Sequence, residues 1–95
     1  MAGMNFSAFE ALDVGATAVS LTAATYGAAD AAFLYLDDGT VRVRLDGTAP
    51  TAANGMQWNA GEVWEFENAR EIADAQFIST DGSTYTLMIN YGVRQ

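Results

Sequence analysis

Residues 33–50 read Phe-Leu-Tyr-Leu-Asp-Asp-Gly-Thr-Val-Arg-Val-Arg-Leu-Asp-Gly-Thr-Ala-Pro, and the alternation in this stretch indicates the fold class. Two alternating runs flank the pair Asp38-Gly39, which is a strong signal for a two-residue type I′ turn. The pattern predicts a β-hairpin in which Leu36 pairs with Val41. One face of that hairpin is purely aliphatic, so we expect it to lie in the core.

The opposite face of the predicted hairpin carries Phe33 and Tyr35 across from Arg42 and Arg44. An exposed arginine opposite an aromatic ring contributes about 0.5–1 kcal/mol, and protein interfaces are enriched in both residue types. These four side chains are therefore candidate interface residues, unless a second layer of the same domain covers them. The full set of candidate interface residues adds Phe6, Phe9 and Trp58. For Trp58, core and surface contact are equally open.

Short alternating segments continue along the rest of the chain. The pattern predicts strands over residues 6–14, 18–21, 56–58 and 62–67, and single helical turns after the N-cap residues Thr22 and Asn68. A last hairpin is predicted over residues 75–91. Its loop has either two residues or three with Gly82 as a left-handed bulge; we prefer the second, which pairs Phe77 with Tyr85. The predicted structural turn residues are Asp38, Gly39, Asp46, Gly47, Pro50, Gly55 and Gly82.

Seven or eight short strands with turn signals roughly every 8–12 residues are typical of an all-β domain. We predict a small antiparallel β-sandwich, or a partly open barrel, with one or two single helical turns. The 95 residues suffice for one domain. Residues 1–5 are interpreted as an N-terminal arm and residues 6–95 as the single β-sandwich domain.

The amino-acid composition argues against enzymatic catalysis. The chain has no cysteine, histidine or lysine, and its four arginines oppose twelve carboxylates, for a net charge of −8. Thiol and zinc chemistry, the usual general base and an activated serine are therefore missing. The charge disfavours nucleic acid and anionic membranes as partners, and the sequence shows no signal peptide or membrane span. We expect a non-enzyme with no catalytic residue, cofactor or metal.

Carboxylates in two places have an alternative interpretation. Asp37, Asp38, Asp46 and Asp81 could gather Ca²⁺, but their spacing matches no calcium loop, so we favour turn chemistry. Glu65 and Glu67 could suggest the acid pair of a glycosidase. We favour a solvated strand face for them, where they could also meet Arg42 and Arg44 across strands.

The run Val41-Arg-Val-Arg-Leu-Asp-Gly-Thr-Ala-Pro-Thr51 resembles a V-R-x-R-x-D-G-T-x-P-T motif. That motif occurs in small proteins encoded among the virion structural genes of tailed bacteriophages and prophages. Later pieces of the pattern fit Gly55, Gly61 with Glu67, Ile78-Ser-Thr-Asp81 and Leu87 to Tyr91, and Val14 to Thr22 fits upstream. The resemblance spans about residues 14–94 and implies a virion structural protein.

The resemblance leads to the expected function: a head decoration (cement) subunit, assembled in the bacterial cytoplasm, that binds the major capsid protein or other virion proteins in many copies. Homo-oligomers or a symmetric array are expected. The first alternative is a carbohydrate- or receptor-binding module of a tail or fibre that uses Trp58 and Tyr26. The second is a head–tail or tail adaptor subunit.

Overall fold

The computed structural model describes residues 4–94, which form eight strands and two short helices. The strands are β1 (Met4–Val14), β2 (Val19–Ser20), β3 (Ala31–Leu36), β4 (Thr40–Arg44), β5 (Met56–Asn59), β6 (Val63–Phe66), β7 (Gln76–Ser79) and β8 (Tyr85–Arg94). The helices are α1 (Ala23–Tyr26) and α2 (Ala69–Asp74). Of the predicted arm, residues 4 and 5 belong to β1, and residues 1–3 lie outside the described residues.

The strands form two antiparallel sheets that pack against each other. Sheet I has the order β1-β8-β3-β6 and sheet II the order β2-β7-β4-β5. Each consecutive pair of strands lies in opposite sheets, except for β4 and β5, which pair directly. This winding is that of a jelly roll, a sandwich of two Greek keys. The predicted all-β sandwich with two single helical turns is confirmed.

The hairpin predicted around Asp38-Gly39 is wrong, because β3 and β4 lie in different sheets. Leu36 pairs with Leu87 in sheet I, while Val41 pairs with Ser79 and Trp58 in sheet II. A type I′ turn needs positive φ at both central residues, and here Gly39 alone has it, at 74°. The connection therefore arches from one sheet to the other. The aliphatic faces of β3 and β4 both pack into the same core, so the alternation of buried and exposed residues is the same as in a hairpin.

The second predicted hairpin fails in the same way. Phe77 pairs with Val43 and Val19 in sheet II rather than with Tyr85 in sheet I. The three-residue loop also predicts one shared face, and this is largely correct, since all its members but the half-buried Tyr85 are fully buried: Ala75, Phe77, Leu87 and Ile89. The core between the sheets contains mainly large apolar side chains: Leu34, Leu36, Val41, Val43, Trp58, Phe66, Ile72, Phe77, Leu87, Ile89 and Tyr91.

The local signals were more reliable than the pairing. Asn68 caps α2, because its side-chain oxygen accepts a hydrogen bond from the backbone N–H of Glu71 at 2.9 Å. Thr22 occupies the N-cap position of α1, but its hydroxyl donates to Glu10 on β1 instead of capping its own helix. The predicted turn residues all lie in connections between strands: Asp38, Gly39, Asp46, Gly47, Pro50, Gly55 and Gly82.

Candidate protein-interaction face

An irregularity in β1 brings two phenylalanines to the same side of the sandwich. Strict alternation would place Phe6 and Phe9 on opposite faces of the strand. The register passes from Phe6 opposite Gly92 to Ala8 opposite Tyr91, so Ser7 is an extra residue in a β-bulge. Phe6 and Phe9 therefore both point outward from sheet I, where they are 55% and 56% exposed.

The outward surface of sheet I, called the aromatic face from here on, continues from β1 across the other three strands. Phe33 lies opposite Asn90, the neighbour of Phe9 on β8. The rings of Phe6 and Phe33 lie 5.6 Å apart, although β8 runs between their strands. Gly92, the partner of Phe6, has no side chain to separate them. Phe6 and Phe33 thus form one apolar contact, while the exposed side chain of Asn90 lies between Phe9 and Phe33.

A second row of apolar residues extends the aromatic face to the far edge of the sheet. Met88, Tyr35 and Val63 are successive neighbours on β8, β3 and β6. Tyr35 is 39% and Val63 is 67% exposed, while Met88 is half-buried. Exposed apolar side chains grouped on one face of a small domain make that face a candidate interaction site.

Acidic residues border the aromatic face. Glu65 lies next to Phe33 on the edge strand β6, and Asp13 lies beyond Ala11 near the end of β1; both are exposed. A mainly apolar centre that includes Asn90, with a carboxylate rim, complements a partner surface that is mainly apolar in the middle and basic around it.

Four of the predicted interface residues lie on this face, but the two arginines do not. Arg42 and Arg44 point outward from sheet II, with the hydrophobic core between them and the aromatic rings. The expected pairing of Phe33 and Tyr35 with these arginines is therefore wrong, and it fails because the hairpin is an arch. The expected contact of Glu65 and Glu67 with Arg42 and Arg44 is wrong for the same reason, since β6 belongs to sheet I.

Trp58 is a core residue. Its side chain is fully buried, its indole N–H donates to the carbonyl of Glu62 at 2.9 Å, and its ring stacks on that of Trp64. Tyr26 is half-buried, and its ring lies 5.9 Å from that of Tyr91. The two residues that the glycan-binding alternative relied on therefore do not form an exposed platform.

The loop carboxylates hold turns together. Asp46 accepts from the backbone N–H of Thr48 at 3.3 Å and pairs with Arg44 at 2.6 Å, and this pairing lowers the pKa of Asp46. Asp81 accepts from the hydroxyl of Tyr85 and the backbone N–H of Ser83, which lowers the pKa of Asp81. Within residues 4–94 no group of three or more acidic side chains is arranged to hold a metal ion.

The motif over residues 41–51 builds the connection between β4 and β5. The Arg44–Asp46 ion pair forms one wall of an open groove of about 270 Å³ that is otherwise lined by Val43, Leu45 and Met56 with Asn54 and Gly55. Pro50 is buried beneath the loop, and the side-chain amide of Gln76 donates to the carbonyl of Gly47 at 3.1 Å. These contacts give the motif residues a structural role.

Sequence reasoning missed two members of the aromatic face, Met88 and Val63. Both follow the alternation of their strands, on the side opposite the core residues Leu87 and Trp64. The alternation is visible in the sequence, but the sequence does not show which strands lie next to β1 and β3. The bulge at Ser7 has no signal in the sequence.

No protein-family model, curated protein or solved structure matches this chain. Among the described residues, no helix is long and apolar enough to cross a membrane.

Proposed function

We propose that this protein is a non-enzymatic virion structural protein of a tailed bacteriophage, and specifically a head decoration subunit. It attaches to the outer capsid surface in many copies, with the major capsid protein or another virion protein as its partner. The observation that carries this proposal is the aromatic face, because its apolar side chains are left exposed by residues 4–94.

The aromatic face supplies enough apolar surface for attachment. Phe6 and Phe9 are each more than half exposed, and fully burying a phenylalanine contributes about 1.5–3 kcal/mol. Association costs several kcal/mol of lost freedom, so one copy binds modestly. Copies on a symmetric shell gain from multivalency when neighbours also touch each other.

Fold and resemblance support the same class of function. The motif over residues 41–51 is similar to one in phage virion proteins, and the jelly roll is an architecture used by viral capsid proteins and by lectins. The fold alone does not imply a function. The net charge of −8 disfavours contact with packaged DNA and favours the solubility of free subunits before assembly.

The alternatives use the same surface differently. A carbohydrate-binding module of a tail or fibre needs aromatic rings for sugar stacking, and with Trp58 buried those rings have to be the phenylalanines or Tyr35 of the aromatic face. A head–tail or tail adaptor subunit uses the face for protein contact, as a decoration subunit does, but in far fewer copies.

The test compares binding to shells and to sugars. Purified protein is mixed with empty, expanded capsids of the phage or prophage that encodes it, and separately with a glycan panel. We expect saturable binding to capsids and none to glycans. The Phe9→Ser variant should lose binding, whereas Met56→Ser, which changes an equally exposed residue outside the aromatic face, should retain it.

Two results contradict the proposal. Saturable glycan binding without capsid binding favours the lectin alternative. The second is a low copy number per virion, measured by quantitative mass spectrometry, because a decoration subunit is present in hundreds of copies. A dozen copies or fewer indicates a neck, tail or fibre protein instead.

A further inference from the structure

We infer that the outward surface of sheet II binds a second copy of this chain, with Arg42 receiving the carboxylates of Asp13 and Asp37 from its neighbour. This inference rests on the proposed function, because it supplies the contact between copies in the array. Arg42 lies on the side of the sandwich opposite the aromatic face, whereas Asp13 and Asp37 lie at one end of sheet I, on either side of Thr86.

Arg42 is an arginine without an acidic partner. Within residues 4–94 its guanidinium has no carboxylate within ion-pair distance, whereas Arg44 and Arg70 each pair with an aspartate. One Nη1 hydrogen bond goes to the carbonyl of Gly55 at 3.2 Å, and the Nε–H is buried with no acceptor in the described part of the chain. The buried Nε–H is out of reach of an incoming group, so the accessible Nη2, which makes no hydrogen bond within residues 4–94, is the atom left for an external carboxylate.

The residues that adjoin Arg42 on its sheet are uncharged or basic. Its cross-strand neighbours are Gln57 on β5 and Ile78 on β7, and its neighbour on the same face of β4 is Arg44, which faces Gln76. We call this surface the arginine face. Because Asp46 is already paired with Arg44, the arginine face is a favourable place for an incoming carboxylate.

The complementary surface lies at one end of the same molecule, here called the acidic end: Asp13, Asp37, Asp38, Glu62 and Asp81. Its loops are tied together, because Asp13 pairs with Thr86, whose N–H donates to Asp38 and whose carbonyl accepts from the N–H of Asp37. A further bond links Gly61, next to Glu62, to Leu36. None of the four arginines lies among these loops.

Two carboxylates of the acidic end have no partner of their own. Asp38, Asp81 and Glu62 each accept a backbone hydrogen bond. Asp13 and Asp37 are exposed, and within the described residues neither carboxylate accepts a hydrogen bond or pairs with an arginine. These two are therefore the side chains to which Arg42 of a neighbour can bind.

Charge and symmetry make this contact suitable for an array. The smallest extent of the molecule is 23 Å, and the Debye length at physiological salt is about 8 Å. Net repulsion between centres is therefore screened, while the pairs in contact are not. Because the two surfaces differ, the contact is heterologous and repeats from copy to copy. It is weak between free molecules and effective between copies that a shell already holds side by side.

The absence of lysine permits a direct test. An Arg42→Lys variant keeps the charge and introduces the one lysine of the chain, which a carbodiimide can join to a carboxylate in contact with it. Unlabelled and ¹⁵N-labelled variant are mixed at high concentration, so that mass spectrometry separates links between copies from links within one. The control is Arg70→Lys, at a side chain that is 90% exposed on α2.

We expect links between copies that join residue 42 to peptides containing Asp13 or Asp37, about fivefold or more above the control, and their loss in about 0.5 M NaCl. The double change Asp13→Asn and Asp37→Asn should remove them. Equal yields from Arg42→Lys and Arg70→Lys, or no links between copies, would overturn the inference. Capsid binding is measured separately, so either result leaves the proposed function to its own test.

Discussion

The indole rings of Trp58 and Trp64 stack across the interior, with centroids 4.5 Å apart and planes 10° from parallel. Trp58 belongs to β5 in sheet II and Trp64 to β6 in sheet I, so the stack joins the edge strands of the two sheets. The ring of Phe77 lies 6.1 Å from that of Trp58 on the other side. This cluster closes one side of the sandwich.

Removing the Trp58 ring should weaken the fold more than removing that of Trp64. Trp58→Ala leaves a large cavity in the core, and the expected loss in free energy of unfolding is about 3–5 kcal/mol. Trp64 is half-buried, so Trp64→Ala should cost less. Urea unfolding measures the free energy of unfolding of both variants. The control is Val63→Ala, which changes an exposed residue on β6, the strand of Trp64. A loss for Trp58→Ala no greater than the control's would contradict this account.

Gly39 is required by two separate constraints. Its φ is 74°, and a Cβ at this position would lie 2.3 Å from Cε1 of Tyr85. Gly61 has a similar φ of 87° with no heavy atom within 4 Å of the added Cβ. Gly61→Ala should therefore cost about 1–2 kcal/mol through backbone strain alone, and Gly39→Ala should cost clearly more.

A double-mutant cycle separates the clash at Gly39 from its backbone strain. In a Tyr85→Ala background the clash disappears, so Gly39→Ala should cost about as much as Gly61→Ala. If Gly39→Ala costs the same with and without the Tyr85 ring, the ring does not restrict this position.

Local signals in the sequence predicted the strands, the positions of the turn residues and the Asn68 cap, while the pairing of strands escaped prediction. Leu34, Leu36, Val41 and Val43 alternate identically in a hairpin and in an arch, because both arrangements bury the same face. The choice depends on whether Asp38 adopts positive φ and on which distant strand pairs with Leu36. Those are long-range contacts that a short window of sequence does not contain.

The lack of information on long-range strand pairing also explains why the candidate site was predicted only in part. Phe33 and Tyr35 were expected to be accessible and are partly so, yet their predicted neighbours Arg42 and Arg44 lie on the opposite side of the sandwich. Phe6 lies on the same face as Phe33 and Tyr35 because of a β-bulge for which the sequence has no signal. Trp58 could not be assigned, because a tryptophan after a turn suits either the core or an interface.

Acid should weaken the fold through Asp46 and Asp81. Hydrogen bonds from Arg44 and Tyr85 lower the pKa of these carboxyls. A lowered folded-state pKa stabilises the protein above the ordinary value of about 3.9, and this contribution is lost as the pH falls through the folded-state pKa. Unfolding by urea at several pH values should show reduced stability in this acidic range.

The Asp81→Asn variant isolates one of these two contributions. It removes the carboxyl group that titrates, so the decrease in the free energy of unfolding with acid should become smaller. Near neutral pH the free energy of unfolding should fall only slightly, because Asp81 is exposed. Asp37→Asn is a suitable control, since the side chain of Asp37 has no partner in the described part of the chain. An acid dependence that stays unchanged in Asp81→Asn would contradict the assignment.

Tyr91 should resist ionisation. Its side chain is fully buried, and its hydroxyl donates to Glu10 at 2.7 Å. Burial first, and the bond to the Glu10 carboxylate second, raise the pKa of Tyr91 far above its ordinary value. A raised folded-state pKa contributes stability that is complete below the ordinary value of about 10 and is lost as the pH rises further. A spectroscopic titration should therefore show a late component, from a phenol that ionises only when the protein unfolds.

The Tyr91→Phe variant identifies that phenol. It keeps the buried ring but removes the hydroxyl, so the late component should vanish from the titration. Glu10 retains the hydrogen bonds from the backbone N–H and hydroxyl of Thr22, so the variant should fold with a loss of about 1.5–3 kcal/mol, typical of a hydrogen bond to a charged group. A late component that persists in Tyr91→Phe would assign it to another tyrosine and show that Tyr91 is accessible to water.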